Sequence, residues 1–419
     1  MQDISLDLEE FAKKMQALQI QNRQLKEYVE KLSASYNETI SNALNIFQKI
    51  AIVPNKIVFI SYDGKGYGCN PKYIAEEILR RNLPLDLVWL VNDLKTPLPE
   101  KIRRVPYNLS ALDASLELST AKVIVTNEMT PLPFHKKNNQ YLIMTWHACW
   151  GLKHVNLDRG DRVTPALMQA INASNAITDL MIAGNDVNFA EIRRSFDYKG
   201  EVISCGYPRQ DLFFKPNDDL AKKVRKSIGI PSNAKIILYA PTFRNQNPQP
   251  LDVYQLNFQK LLSLFEKKFS GKWILLMRLH PILSASDISQ KVFTPSANII
   301  DVTKYPDMQE LALISDVLLT DYSSVIYDFM LQEKLTFIFA KDVQSYNKIQ
   351  GLKDEFFHLP FRINQNEIEL FDCIKNINVT ETKRKLKNFI AALKPYDTGH
   401  ASEKVVDKIC SVMNIPTQN

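Results

Sequence analysis

The chain has 419 residues, 45% of them hydrophobic and 23% charged, with a net charge of +6. These values describe a globular protein of two or three domains with a real core, and they exclude disordered and collagen-like chains. The mild basic excess suits an acidic partner, such as a nucleotide, a polyphosphate or an anionic membrane surface, without selecting one.

Residues 1–50 contain no Gly and no Pro. Leu8, Phe11, Met15, Leu18, Leu25, Val29, Leu32 and Tyr36 recur at alternating spacings of three and four, broken only by Asn22. This heptad pattern predicts a coiled-coil seam with Asn22 at an a position, or else an amphipathic helix packed on its own domain. Six basic and seven acidic residues leave the segment without the polybasic face of a membrane-surface helix.

Globular sequence begins near Pro54. The patterns predict strands at 56–61, 86–91, 121–126, 140–145, 179–183 and 201–204, with helices at 70–79, 109–118 and 185–196. A boundary falls near 212–220. A second alternation follows, with strands at 235–239, 273–278, 298–302, 316–320 and 336–339 and helices at 254–268, 308–314 and 324–331. Strands alternating with helices imply parallel α/β layers. The expected fold is α/β and GT-B-like: a helical segment (1–50), then two Rossmann-type domains (51–214 and 215–419) facing a cleft. Ligands in such sheets sit beyond the carboxyl ends of the strands.

The chemistry-bearing motifs fall at such ends. His147 lies in Thr145-Trp146-His147-Ala148-Cys149-Trp150-Gly151-Leu152-Lys153, where an imidazole titrating near neutrality can serve as a general base. Gly151 and Lys153 give that loop the look of a phosphate-binding turn. Gly206-Tyr207-Pro208-Arg209-Gln210-Asp211 is a turn from which Arg209 can reach a phosphate. Tyr239-Ala240-Pro241-Thr242-Phe243-Arg244 ends another strand. Arg278 and His280, two apart on extended chain, share a face and can point at one anion. In Thr320-Asp321-Tyr322-Ser323-Ser324-Val325, a buried strand runs into serines and then a helix. Hydroxyls and free backbone N–H groups there suit an anion, and N-capping by Asp321 or Ser323 is compatible with that.

Absences narrow the field. No P-loop, tight G-x-G-x-x-G, G-x-S-x-G or H-E-x-x-H occurs. Cys69, Cys149, Cys205, Cys373 and Cys410 are scattered and never form a C-x-x-C pair, so a reducing compartment and no metal site are expected. The start lacks a basic and apolar leader, and no run of about 18 apolar residues occurs. The basic cluster Lys383, Arg384, Lys385 and Lys387 reads as a solvated helix face, or as a contact for anionic lipid or polymer.

In order, these motifs resemble the CDP-glycerol glycerophosphotransferase family of teichoic-acid and capsule enzymes. The resemblance spans roughly residues 55–405. It includes Asn70-Pro71-Lys72-Tyr73-Ile74, Trp146-His147, Gly206–Arg209, Tyr239–Arg244, His280-Pro281, Thr320–Ser324 with Asp328, and a closing Asp397-Thr398-Gly399-His400-Ala401-Ser402. The loop after His147 is one residue longer before Lys153 than in many members, which bears on the acceptor. The resemblance implies transfer of glycerol phosphate or ribitol phosphate from CDP-glycerol or CDP-ribitol to a lipid-linked or polymer acceptor, releasing CMP. It implies His147 as base, and Arg278 and His280 on the diphosphate. It also implies Ser323, Ser324 and Val325 at phosphate oxygens, and Pro241, Thr242 and Asp328 on the nucleotide. No cofactor is implied. The expected setting is cytoplasmic, at the inner face of the membrane, as a homo-oligomer and without nucleic acid. A GT-B glycosyltransferase using a nucleotide sugar and a non-catalytic scaffold are the competing readings.

Overall fold

A computed structural model describes residues 2–107, 112–129, 134–148, 150–244, 250–280 and 291–416, with side chains from residue 21 onward. Two parallel sheets carry it. The first contains β1 (Lys56–Ile60), β2 (Asp86–Val91), β3 (Ile102–Pro106), β4 (Val123–Thr126), β5 (Tyr141–Met144), β6 (Leu180–Ala183) and β7 (Glu201–Ser204). Its order is β3-β2-β1-β4-β5-β6-β7. The second contains β8 (Lys235–Tyr239), β9 (Trp273–Met277), β10 (Ile299–Asp301), β11 (Val317–Thr320), β12 (Leu335–Phe339) and β13 (Ile363–Asn364), in the order β10-β9-β8-β11-β12-β13. Each sheet reverses direction of travel beside its first strand, between β1 and β4 and between β8 and β11. Those are the switch points where doubly wound sheets open a crevice.

The apolar runs explain the layers. Every residue of β1 (KIVFI) and β9 (WILLM) is buried, as expected for strands covered by helices on both faces. β3 is absent from the predicted elements. It is an edge strand with Arg103 and Arg104 outward and Pro106 at its end, a composition that hides a strand from pattern reading.

Helix α1 (Gln2–Phe47) is a single 46-residue element. Among its described side chains, it buries apolar ones only near its end, at Ile40 and Leu44, and Lys137 ties that end down through Phe47 and Ile50 carbonyls. Residues 21–39 are exposed on every side. Leu25 (59%), Val29 (55%) and Leu32 (52%) form an apolar stripe turned away from the body. This stretch is therefore not packed on its own domain; the earlier heptad positions Leu8 to Leu18 lie outside the described side chains. Among the described residues, no helix is long and apolar enough to cross a membrane.

The two halves are stitched by charge. Lys72 on α2 (Cys69–Arg80) is buried against Asp307 and Glu310 of the second half, and the Tyr73 hydroxyl donates to Asp307 at 3.0 Å. The last helix (Ala401–Met413) returns to the first half, where Arg81 pairs with Asp407 and Lys408 with Glu201. Asp211 accepts the N–H groups of Ala401 and Ser402 at 2.9 and 2.7 Å, so the turn at 206–211 caps that returning helix.

Candidate active site

The site is assembled from the loops after β1, β4 and β5 in the first sheet and after β8, β9 and β11 in the second. Trp146 leaves β5 with φ of +56°, a conformation costly for a bulky residue. Asn70 helps to hold it there: its amide donates to the Trp146 carbonyl at 2.9 Å and its oxygen accepts the Arg209 N–H at 3.2 Å. The Asn-Pro-x-Tyr-Ile segment thus supports the Trp-His turn and, through Lys72 and Tyr73, the contact between halves.

His147 lies between the rings of Trp146 (4.3 Å between centroids) and Tyr62 (5.8 Å). Its side chain is 32% exposed. Nδ1 faces the Asn127 carbonyl at 3.2 Å, which makes Nδ1 the protonated nitrogen and leaves the lone pair on Nε2. Withdrawal from water, more than the nearby charges of Arg209 and Lys153, pushes the imidazole down to about 4. The ring is therefore neutral at ordinary pH, the state a base requires.

Arg209 is buried. It donates to the His147 carbonyl at 2.9 Å and lies 3.4 Å from Asp328. The Asp328 carboxylate also accepts from Gln210 (2.8 Å) and Gln309 (3.1 Å) and is 1% exposed. Arg209 and Asp328, both placed on the donor by sequence reasoning, thus face each other across the junction of the halves. Gly206 (φ +85°) makes this turn possible, since a Cβ there would lie 2.6 Å from the Asp397 carboxyl. Asp397 in turn accepts the Tyr207 N–H at 2.9 Å.

On the other side, Asp321 accepts the Thr242 N–H at 2.8 Å and pairs with Arg244 at 2.9 Å. Arg244 also grips Asp342 and lies over the rings of Tyr322 and Tyr346. Asp321 is thereby committed to the Pro241-Thr242 turn and not to capping the next helix. Thr242 Oγ1 is shielded and, among the described residues, has no hydrogen-bond partner. Ser323 Oγ accepts the Val325 N–H at 3.4 Å, whereas Ser324 makes no side-chain cap. Arg278 is anchored to the carbonyls of Val302 and Tyr305; its guanidinium senses Asp307 and Tyr62. His280 is exposed and stacks on Phe243 (4.9 Å, 29°). Crowding by the surrounding cleft, although the ring still meets solvent, and then the charges of Lys65 and Arg278 lower its pKa. Pro281 and Cys149 lie outside the described residues.

The long loop after His147 runs to the second half. Lys153 and Leu352 form an antiparallel bridge, and the Lys153 amine donates to the Tyr346 hydroxyl at 3.2 Å. Gly151 has room for a side chain, its nearest contact being 3.9 Å away. The loop after β1 escapes sequence reasoning, though its glycines, Gly64, Gly66 and Gly68 behind a buried strand, are the available signal. Tyr62 touches the His147 ring and Lys65 acts on His280, so this loop spans the two histidines. Among the described residues, no three His, Cys, Asp or Glu side chains converge to hold a metal ion.

A family model described as CDP-Glycerol:Poly(glycerophosphate) glycerophosphotransferase matches residues 41–411. A teichoic acid poly(glycerol phosphate) polymerase of Staphylococcus epidermidis is 31% identical over 85% of this chain and 51% of its own. A teichoic acid poly(ribitol-phosphate) polymerase of Bacillus spizizenii is 27% identical over 88% of this chain and 58% of its own. The chain thus spans about half the length of these curated relatives. The solved wall teichoic acid polymerase TagF superposes with a TM-score of 0.79 at 27% identity, covering 94% of this chain and 97% of that one.

Proposed function

The chain belongs to the CDP-glycerol:poly(glycerophosphate) glycerophosphotransferase family, and from that premise we propose that it transfers glycerol phosphate or ribitol phosphate from a CDP-polyol to a lipid-linked or polymer acceptor. The acceptor oxygen attacks the distal phosphorus, the bond from that phosphorus to the CMP oxygen breaks, and CMP leaves. The hydroxyl proton moves to Nε2 of His147. Arg278, His280 and the Ser323-Ser324 turn stabilise charge on the diphosphate. The Pro241-Thr242 turn, pinned by Asp321 through the Thr242 N–H, borders the nucleotide. Arg209 and Asp328 hold the base loop in place. The observation that carries this reading is the family match over 371 positions, residues 41–411, with its motif residues gathered at the carboxyl ends of both sheets.

The test is CMP release from CDP-glycerol and CDP-ribitol with a primed glycerol-phosphate lipid acceptor, beside a panel of nucleotide sugars. Release from one CDP-polyol names the donor. Release only from a sugar nucleotide sinks the proposal. Arg278→Ala is expected to lower kcat/KM for the CDP-polyol about 100-fold, as removal of a charge-stabilising donor does; an unchanged value would remove Arg278 from the donor site. No metal is required in this scheme, so a chelator is expected to leave turnover unchanged, and its loss would refute that part.

The exposed stripe on α1 supports association through a coiled coil with a second copy. Deleting residues 1–38, which spares Ile40 and Leu44, is expected to lower the mass seen by light scattering. A mass that stays at that of the full assembly would place the contact elsewhere. The enzyme works at the inner face of the membrane, where Lys383, Arg384, Lys385 and Lys387 are all exposed; Glu381 already engages Arg384, and Glu333 engages Lys387, which limits the basic face to a supporting role.

A further inference from the structure

The wall of the first half holds two carboxyl groups that the scheme above does not use. Asp63 sits on the loop after β1 and Glu128 on the loop after β4, the strands that flank the switch point. The Asp63 carboxyl acts on Glu128, raising its pKa in the same direction as burial does. Glu128 Oε1 is 3.7 Å from Nδ1 of His147. The preceding residue, Asn127, supplies the carbonyl that faces Nδ1, and its side-chain oxygen accepts the Tyr62 N–H at 2.8 Å. One short segment thus fixes the imidazole, the loop after β1 and the carboxyl pair together.

The arrangement is held against conformational preference. Tyr62, Asp63 and Gly64 take φ values of +47°, +51° and +76° in succession, a left-handed run that side chains avoid. Tyr107 clamps it. Its hydroxyl donates to Asp63 at 3.1 Å, and its Cβ lies 2.6 Å from where a Cβ on residue 64 would stand. Strain of this kind persists where the surrounding structure over-determines it, and such places cluster at functional sites.

We propose that Asp63 and Glu128 are positioning residues for His147: a carboxyl pair whose charge sets the basicity of the imidazole and holds the imidazolium formed during transfer, a role that rests on the transferase reading of His147. The proton balance is simple. It leaves the acceptor oxygen as that oxygen bonds to phosphorus and arrives on Nε2. Nδ1 keeps its own proton toward Asn127, and the two carboxyls take no part in the transfer of protons.

The surrounding charges give the pair a pH range. Burial first, and then the Asp63 charge and hydrogen bond, raise Glu128 to about 7 against the pull of Lys65. Around neutrality Glu128 therefore gains its negative charge. His147 faces Tyr62, Arg209 and Lys153 as well; the two cations lower its pKa, and the Asn127 bond and the Asp63 charge raise it. The Glu128 charge, 3.7 Å from Nδ1, raises the proton affinity of the imidazole above neutral pH, when the acceptor proton has to be taken.

The test follows each imidazole of the full chain by NMR against pH, the His147 signal being the one lost in His147→Ala. Two inflections are expected for that ring, its own near 4 and a second near 7 transmitted from Glu128. Glu128→Gln removes the second, and Asp63→Asn moves it to lower pH. A ring without the second step, or one that keeps it in Glu128→Gln, overturns the proposal. This readout needs no substrate, so it stands apart from failure of the transferase reading. In the CMP-release assay, Glu128→Gln mimics the protonated acid. It is expected to match the parent at about pH 6 and to fall about threefold behind at about pH 8.5, the effect of about one pKa unit on a general base with a fractional Brønsted response. A deficit equal at all pH values marks a merely structural role and also overturns it. Should Asp63→Asn fail to fold, Glu128→Gln decides alone.

Discussion

His147→Ala is expected to reduce kcat for CMP release by about 1,000-fold, within the range for loss of a positioned general base, while leaving donor KM within about threefold because the loss falls on the transition state. Nδ1 is occupied by the Asn127 carbonyl, so Nε2 alone carries the lone pair. Desolvation keeps the ring neutral down to about 4, so the base form is present across the working range. Alanine also removes ring contacts with Trp146 and Tyr62, and a melting curve must accompany the assay. His147→Gln refines the measurement: the amide can donate to the same carbonyl and fill much of the space, yet it cannot accept a proton. Equal loss in both variants assigns the effect to proton transfer. Recovery in glutamine would make His147 a spacer and return the search for the base to the cleft.

Much of this site is legible in the amino-acid sequence, and the reason is local. The buried stretches from Ile236 to Tyr239 and from Trp273 to Met277 are uninterrupted apolar runs, so the polar residues that follow stand out as strand-end loops. His147, Thr242, Arg278 and Ser323 emerge that way. What stays hidden depends on partners distant in sequence. Asp328 reads as one acidic residue in the first turn of a helix, and only the fold shows it meeting Arg209, 119 positions away. Lys72 reads as an ordinary helix lysine until Asp307 and Glu310 arrive from the second half. Asp63 and Glu128 carry no motif at all; their significance comes from two strands pairing in parallel beside the switch point. The helix Pro165–Ile177 escapes pattern reading for another reason: it buries only Ile171 and Ser174, too little to imprint a period. The α1 segment reads as one long helix from its spacing, but the choice between a packed and an unpartnered face needs the exposure of Leu25, Val29 and Leu32.

The junction at Asp328 yields the largest expected effect on stability. Asp328→Ala leaves Arg209 buried without its carboxylate and strips an acceptor from Gln210 and Gln309. Breaking a buried pair from one side costs about 3–5 kcal/mol, which a urea unfolding curve will resolve. Arg209→Met is expected to cost less, because Asp328 keeps two amide donors. Combining Arg209→Met with Asp328→Leu removes both charges at once, and part of the lost stability should return, since no unpaired ion remains inside. Activity should not return with it. Arg209 also donates to the His147 carbonyl, and methionine cannot, so the base loop stays unsupported however stable the junction becomes. A double variant that is stable and slow separates holding the halves together from holding the base. One that regains both would show that Arg209 matters only as the counter-ion of Asp328, and that the Trp146-His147 turn is secured by Asn70 alone.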